Sequence, residues 1–446
     1  MKQISIVVFG LFFSMHVLAQ ENNSYSFSLT EAIDYALQNN RTAKNAQHDI
    51  AAAEKQKWET TATGLPQISA TVDYQNFLKQ QVSAIPAEFF DGNPGEFTEV
   101  AFGTKQNASA IATLSQKIFD GSYLVGLQSA KVYLQISKNA KQKTDLEVRK
   151  AVIDAYGNVL LSEESVKILQ KNLETLQKNL DDTTKIFENG LEEQESVEQL
   201  QITLSGVKSN LKNVERLKSL AYQMFNITLG IDINANTTLT DNLPSLTSQN
   251  ISLELLENNV DIENTIDYKI AANDKTSKEL LLKLEKSKAL PTLNGFINGG
   301  YSAFSNEFDF LDSDKKWFGS SLFGVSLNIP IFSSLGRSAA TQRAKINLSK
   351  AENDLIETEQ KLKLQIASAK SDYQFAIEDY DNKKQNLNLA ERIEKKNQSK
   401  FFEGVGSSFE LRQAQTQLYT AQQEFLQAML DVINTKAALE TILNTI

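Results

Sequence analysis

The side chains that most often carry covalent or metal chemistry are nearly missing from this chain. It has 2 His and no Cys in 446 residues, which excludes thiol nucleophiles, disulfides and cysteine-based zinc sites. No nucleophile elbow, phosphate-cradling glycine loop or metal-spaced cluster is present in the sequence. His48 lies in Ala46-Gln47-His48-Asp49, and the matching stretch later in the chain reads Ala271-Ala272-Asn273-Asp274. A functional ligand would rarely be replaced by Asn in its twin, so His48 reads as structural. What remains is carboxylate: Glu192, Glu193, Glu195 and Glu198 in one short run, and Glu410 far downstream. Such groups act through charge, repelling one another around an opening and attracting cations. An ordinary solvated carboxylate just after a turn, favoured at a helix N-terminus, is the plain alternative for Glu410. An enzyme is not the expected class.

Net charge narrows the partners. Lys+Arg number 45 against 55 Asp+Glu, a formal −10, with no basic run of any length, so a nucleic-acid binder is excluded. Residues 1–19 read as a secretory signal peptide: Lys2, an apolar core from Ile4 to Val17, and Ala19 before Gln20. Export places the mature chain in the periplasm or outer membrane of a Gram-negative bacterium.

The elements that position these carboxylates are long. Only 6 Pro occur, and from Ser338 to Glu403 there is neither Pro nor Gly. As one helix that stretch would measure roughly 100 Å at ~1.5 Å per residue. Val166, Leu169, Leu173, Leu176, Leu180, Thr183 and Phe187 step alternately by three and four residues. Leu362, Ile366, Ala369, Tyr373, Ala376 and Tyr380 do the same, as does the run from Leu411 to Ile442. Sustained spacing of this kind is a coiled-coil seam. Four other segments alternate with period two. Ile68, Ala70, Val72 and Tyr74 form one, and Phe323, Val325, Leu327, Ile329 and Ile331 another. Residues 108–114 alternate less cleanly, and 291–304 read as a glycine-rich strand. Alternation of apolar and polar residues over ~10 positions suits a transmembrane strand, and a half-buried sheet in a soluble domain equally well. The export signal, the helix lengths and the crowd of aromatics around these strands favour the membrane.

The chain is duplicated. Gly190 falls on Gly404, Gln199 on Gln413 and Leu204 on Leu418, while Leu65-Pro66-Gln67-Ile68 matches Leu290-Pro291-Thr292-Leu293. Extra length in the first half lies near residues 78–105. The expected organisation is a signal at 1–19, a first repeat at 20–230, a connector at 231–261 and a second repeat at 262–446. Each repeat runs helix, strand, strand, long helix, helix. Four strands cannot close a barrel, since bacterial barrels start at about eight strands. Open edges cannot sit in lipid, because their N–H and C=O groups would stay unpaired. Several chains must therefore share one barrel, with the helices projecting from it. A periplasmic coiled-coil spacer without a pore is the competing expectation. It would not need four alternating, aromatic-rich strands.

This pattern resembles the TolC family of outer-membrane efflux and secretion channels. The resemblance rests on the Leu-Pro starts at Pro66 and Pro291, and on the Phe119-Asp120-Gly121 and Phe332-Ser333-Ser334 exits into long helices. It rests also on the helix-turn-helix tips at Gly190-Leu191 and Gly404-Val405, followed by Gln413 to Tyr419. It implies a mixed, mainly α fold: a long antiparallel coiled-coil α-helical barrel plus a transmembrane β-barrel shared by three chains, four strands from each. It implies a homotrimer working with a periplasmic adaptor and an inner-membrane transporter, and no cofactor. The exported cargo would be drugs, small toxic compounds or secreted polypeptides. It places the constriction at the tips, with Glu410 at a first acidic ring position and Gln413 at a second that is not acidic here. On the first tip it points to Ser196 and Gln199. Gly190, Gly404 and Gly406 are expected to serve the tip turns.

Overall fold

The computed structural model describes residues 24–257 and 261–445; the expected signal peptide at 1–19 lies outside the described residues. In chain order the elements begin with β1 (Ser24–Phe27), α1 (Leu29–Asn39), α2 (Arg41–Ala62) and β2 (Gln67–Asn76). A short hairpin follows, β3 (Val82–Pro86) and β4 (Phe97–Ala101), then β5 (Gln106–Asp120), α3 (Gly121–Glu188) and α4 (Gln194–Leu229). The middle holds β6 (Asn236–Leu239), α5 (Leu243–Gln249) and α6 (Glu254–Glu257). The last stretch is α7 (Ile266–Ser287), β7 (Thr292–Ser305), β8 (Phe318–Asn328), α8 (Gly336–Phe402) and α9 (Ser408–Leu443).

The duplication is explicit in this order. Helices of 22, 68 and 36 residues flank β2 and β5 in the first half, and helices of 22, 67 and 36 residues flank β7 and β8 in the second. The chain forms two compact units, and each draws on both halves.

One unit, residues 45–143 and 261–364, holds a four-stranded antiparallel sheet ordered β2-β5-β7-β8. Cross-strand partners share a face. Ile68 pairs with Leu114, Leu114 with Ile297, and Ile297 with Phe323. One face is thus apolar across all four strands. The other carries Ser69, Thr71 and Asp73 on β2, Ser109 and Thr113 on β5, and Asn298 and Ser302 on β7. Most of the apolar face is open, with Val72 80 % and Phe323 70 % exposed, while its end at Ala108 and Ala303 lies under Phe310 of the β7–β8 loop. The outer strands β2 and β8 have no further ladder partner among the described residues.

Strand bounds differ from the alternation in the sequence. β8 runs from Phe318 to Asn328 rather than from Phe323 to Ile331. Its ladder to β7 ends where Thr292 meets Asn328, so Ile329 and Ile331 have no ladder partner among the described residues. Upstream, Gly319, Ser320 and Ser321 join the ladder although they break the apolar pattern. β5 is longer than residues 108–114, because β7 pairs along it as far as Asp120, past a bulge between Lys117 and Phe119. The extra length near 78–105 is itself folded, with Val82–Pro86 paired to Phe97–Ala101. Pro86, and Pro94 with Gly95, had disguised that hairpin as a plain loop.

The other unit, residues up to Lys44 with 144–260 and 365–446, contains the heptad seams. Leu176 and Thr183 of α3 are fully buried, and Val166 and Leu169 pack with Leu200, Val207 and Leu211 of α4. On α8 and α9, Leu411, Ala414, Val432 and Leu439 are all nearly inaccessible, as is Tyr373. Burying such apolar side chains contributes ~1.5–3 kcal/mol each, the main drive for helices this long. A small parallel pair, β1 with β6, ties the start of the chain to the middle segment through Ser24↔Asn236 to Phe27↔Leu239. Two buried tyrosines anchor that segment to the long helices. Tyr156 of α3 donates to Asp241 Oδ2 at 2.8 Å. Tyr373 of α8 donates to the Asn250 carbonyl at 2.6 Å and accepts from the Ser252 N–H at 2.8 Å.

Candidate functional site: the helical tips and the polar seam behind them

The α3–α4 turn ends its first helix with Gly190 at φ 75°, and the α8–α9 turn ends its first helix with Gly404 at φ 74°. A non-glycine residue there would push Cβ against the backbone. In both turns the next N–H reaches back into the helix, Leu191 to the Ile186 carbonyl at 3.1 Å and Val405 to the Lys400 carbonyl at 3.0 Å. Gly406 has a different reason. Its φ is not left-handed, but a Cβ would sit 2.9 Å from that of Lys400. Pro66 and Pro291 each immediately precede a strand, β2 and β7, where a missing N–H costs no ladder bond.

The second tip is closed by a capping box. The Glu410 N–H donates to Ser407 Oγ at 3.2 Å, and the Ser407 N–H donates to Glu410 Oε2 at 3.3 Å. Glu410 thereby carries a helix-start role in addition to its charge. It is exposed, as is Gln413 one turn on. Phe409, Arg412, Gln413, Thr416 and Gln417 line one open hollow, and the Arg412 guanidinium lies 5.4 Å from the Phe409 ring centre. The first tip differs. Glu193 precedes α4 without a side-chain cap. Ser196 is buried, at 4 % exposure, and donates to Glu192 Oε1 at 2.8 Å. Gln199 donates to Glu195 at 2.8 Å and Gln194 to Glu198 at 2.7 Å, so two carboxylates of the acidic run are held by neutral amides. Of the site residues expected from sequence, Glu410 and Gln413 share an exposed face of α9. Ser196 instead points inward, and Gln199 is half-buried on α4.

Behind the tips the helical pairs meet through amides rather than leucines. Asn172 of α3 donates to Gln422 of α9 at 2.8 Å, and Gln398 of α8 donates to Asn179 of α3 at 3.0 Å. Gln415 is 1 % exposed, and its side-chain amide makes no hydrogen bond of good geometry among the described residues, though it lies close to the Glu394 carboxyl. The Glu394 carboxyl and the Tyr419 phenol lie beside this position. Burial pushes Glu394 above the ordinary carboxylate range, partly offset by the Gln415 amide. Burial, then the Glu394 charge, pushes Tyr419 up as well. A hollow of about 320 Å³ opens between α3, α4 and α9, lined by Asn172, Asn210, Tyr419, Gln422 and Gln427 among apolar neighbours. A seam of amides and an underpaired carboxyl is held less firmly than an apolar one. Asn172 and Asn179 stand one heptad apart on α3, as do Gln415 and Gln422 on α9; sequence reasoning passed over them because periodicity alone does not mark a polar residue as buried.

No cluster of His, Asp or Glu that could hold a metal is found among the described residues. No helix among them is long and apolar enough to cross a membrane. The fold has close relatives in shape. VceC from Vibrio cholerae superposes with a TM-score of 0.71 at 15 % identity, covering 93 % of this chain and 95 % of that one. The CmeC outer membrane channel of Campylobacter jejuni gives 0.72 at 17 % identity, over 95 % and 85 %. The open-state MtrE outer membrane channel of Neisseria gonorrhoeae gives 0.70 at 17 % identity, over 93 % and 88 %. No curated protein matches by sequence. The sequence pattern of the outer membrane efflux proteins does match, over residues 32–224 and 254–445, stopping short of α5 and resuming at α6. That span takes in both repeats, their strands and both tips, and the chain belongs to the outer membrane efflux protein family.

Proposed function

We propose that three copies of this chain close one twelve-stranded barrel in the outer membrane and bundle their long helices into a conduit that ends at the tips. The channel role follows from the family; it excludes an enzyme and the pore-free spacer. The observation that carries the assembly is the four-stranded sheet with two edges unpaired among the described residues and a largely exposed apolar face. Unpaired edges cannot remain in hydrocarbon, and four strands are half of the smallest barrel, which needs about eight. The apolar face then meets lipid, and Ser69, Thr71, Asp73, Thr113 and Asn298 face the water-filled interior.

Exposed tips with an acidic, capped helix start suit docking and gating. Glu410 supports a ring of like charges around the axis, with Gln413 as a neutral ring beneath it. A periplasmic adaptor and an inner-membrane transporter would supply the energy for export. The repeats at 20–230 and 262–446, joined by 231–261, are the units of this assembly. Purification from outer membranes, native mass measurement and co-purification test the reading. A trimer that brings down an adaptor and a transporter supports it; a monomer with neither would overturn it.

A further inference from the structure

The face of the sheet that carries Ser69, Thr71 and Asp73 is not polar throughout. Resting on the three-copy reading, which turns this face to the water-filled interior, we infer that β7 and β8 carry an aromatic track on the inner wall of the barrel. The track is a contact site for the flat, apolar part of a small amphipathic cargo, at the end of the strands that bears the β7–β8 loop.

The register places its members. Asp73, Ser109, Ser302 and Phe318 form one row across the four strands. Side chains two residues apart share a face, so Phe304 and Leu322 lie on the same side as Ser302 and Phe318. Phe296 joins them, paired with Gly324 in a row with Ser115 and Gln67. Phe304 and Phe318 are each 50 % exposed and Leu322 57 %. The rings of Phe304 and Phe318 meet at 6.2 Å, tilted by 47°. Phe296 lies across Gly324, where a Cβ would collide with the ring.

Neither lipid nor a core accounts for these side chains. Lipid and its interfacial girdles take apolar and aromatic residues on the outward face, and this is the other one. Eight strands give an interior just wide enough for side chains to fill, so twelve leave the inner wall in water. The first half of the duplication does without the track. The shift that takes Leu65-Pro66 to Leu290-Pro291 takes Thr71 to Phe296. Gln67 pairs with Ser115 as Thr292 pairs with Asn328, so Ser109 matches Leu322 and Lys105 matches Phe318. The Phe77 N–H donates to the Lys105 carbonyl at 2.9 Å, as that match requires. Within the ladder of β2 with β5, Ile111 is the one large apolar residue on this face. The fold therefore works with polar residues at the twin positions, and an exposed apolar patch kept on one half marks a contact site.

The surroundings set the chemistry of the occupant. Two half-open rings present a face and an edge to a flat aromatic group. The Lys316 ammonium stands 5.2 Å from the Phe318 ring centre, and Asp73 and Ser302 lie in the same row as that ring. Polar substituents around a flat apolar body find partners here.

The protein has no cysteine, which gives a clean test in the full-length chain. Ser320 and Ser321 are adjacent on β8, both exposed, and face opposite ways, with Ser320 between Phe318 and Leu322 on the track side. In outer membranes, Ser320→Cys should react with a sulfonated, membrane-impermeant thiol reagent far faster than Ser321→Cys. Caffeine, a neutral, flat and water-soluble aromatic, is the probe, and glucose is the control. Caffeine should slow the labelling of Ser320→Cys by more than about twofold, the strength of a modest aromatic pair, and glucose should not. Adding Phe304→Leu with Phe318→Leu keeps the apolar bulk without the rings and should abolish the slowing. No slowing by caffeine, equal slowing by glucose, or slowing that survives the loss of both rings overturns the track, while fast labelling of Ser320→Cys in the same samples keeps the three-copy reading. Faster labelling of Ser321→Cys than of Ser320→Cys overturns both.

Discussion

Tyr156 and Asp241 meet at 2.8 Å, and the same Asp241 oxygen accepts the Leu29 backbone N–H at 2.8 Å. One carboxylate therefore joins α3, the start of α1 and the link between β6 and α5. Burial, then the Asp241 carboxylate, pushes the Tyr156 phenol well above its usual value, so it stays a donor.

Tyr156→Phe removes that donor from a fully buried position. The expected cost is about 1–3 kcal/mol, because Asp241 loses a buried partner. Asp241→Ala should cost a similar amount, and the double variant less than the sum. Thermal melting, with proteolysis at the 240–257 link, measures both.

The tip turns respond to backbone strain. Gly190→Ala and Gly404→Ala place a Cβ at φ 75° and 74°. Each should cost about 1–2 kcal/mol, and Gly406→Ala should fail for a different reason, a clash with Lys400. Protease nicking at residues 189–193 and 403–407 is the readout, and cleavage should be confined to the altered tip.

Glu394 gives the tip seam a pH dependence. Its folded carboxyl titrates above the ordinary 4.5, so the seam is favoured in the protonated state. Stability should be full below about 4.5 and decline as pH rises through the higher folded value, where a half-buried charge must be held. Glu394→Gln should abolish the decline. Amide hydrogen exchange over residues 390–420 between pH 4 and 8 measures it, and a flat profile in the unaltered protein would contradict it.

Glu410 does two jobs that substitutions separate. Glu410→Ala removes a capping-box partner, at about 0.5–2 kcal/mol, and Glu410→Gln retains an acceptor for the Ser407 N–H. Both remove the charge. If Glu410 forms a ring, both variants should lower cation preference to the same extent while only the Ala variant frays α9.

The long helices and the doubled order were legible in sequence because heptad spacing and proline exclusion are local and repeated many times. The tip glycines were legible for the same reason: a left-handed φ strongly favours one residue type. Strand limits were not, since β5 and β8 end where the ladder to β7 ends, and β7 lies far from β5 in sequence. The hairpin at 82–101 was hidden by Pro86 and by Pro94-Gly95. The inward turn of Ser196 and the burial of Gln415 depend on how helical pairs pack, which periodicity along one helix does not encode. Nor does the acidic run at Glu192–Glu198 announce that Gln194, Ser196 and Gln199 hold three of its carboxylates.

Copies of this chain that close as proposed enclose a pore. Single-channel recording of the purified protein in a planar bilayer tests it most directly, with the unaltered chain compared with Glu410→Ala. A trimeric sample should show discrete, long-lived conductance steps, larger or less cation-selective once Glu410 is gone. A properly folded protein that stays monomeric and passes no current, with or without Glu410, would contradict it.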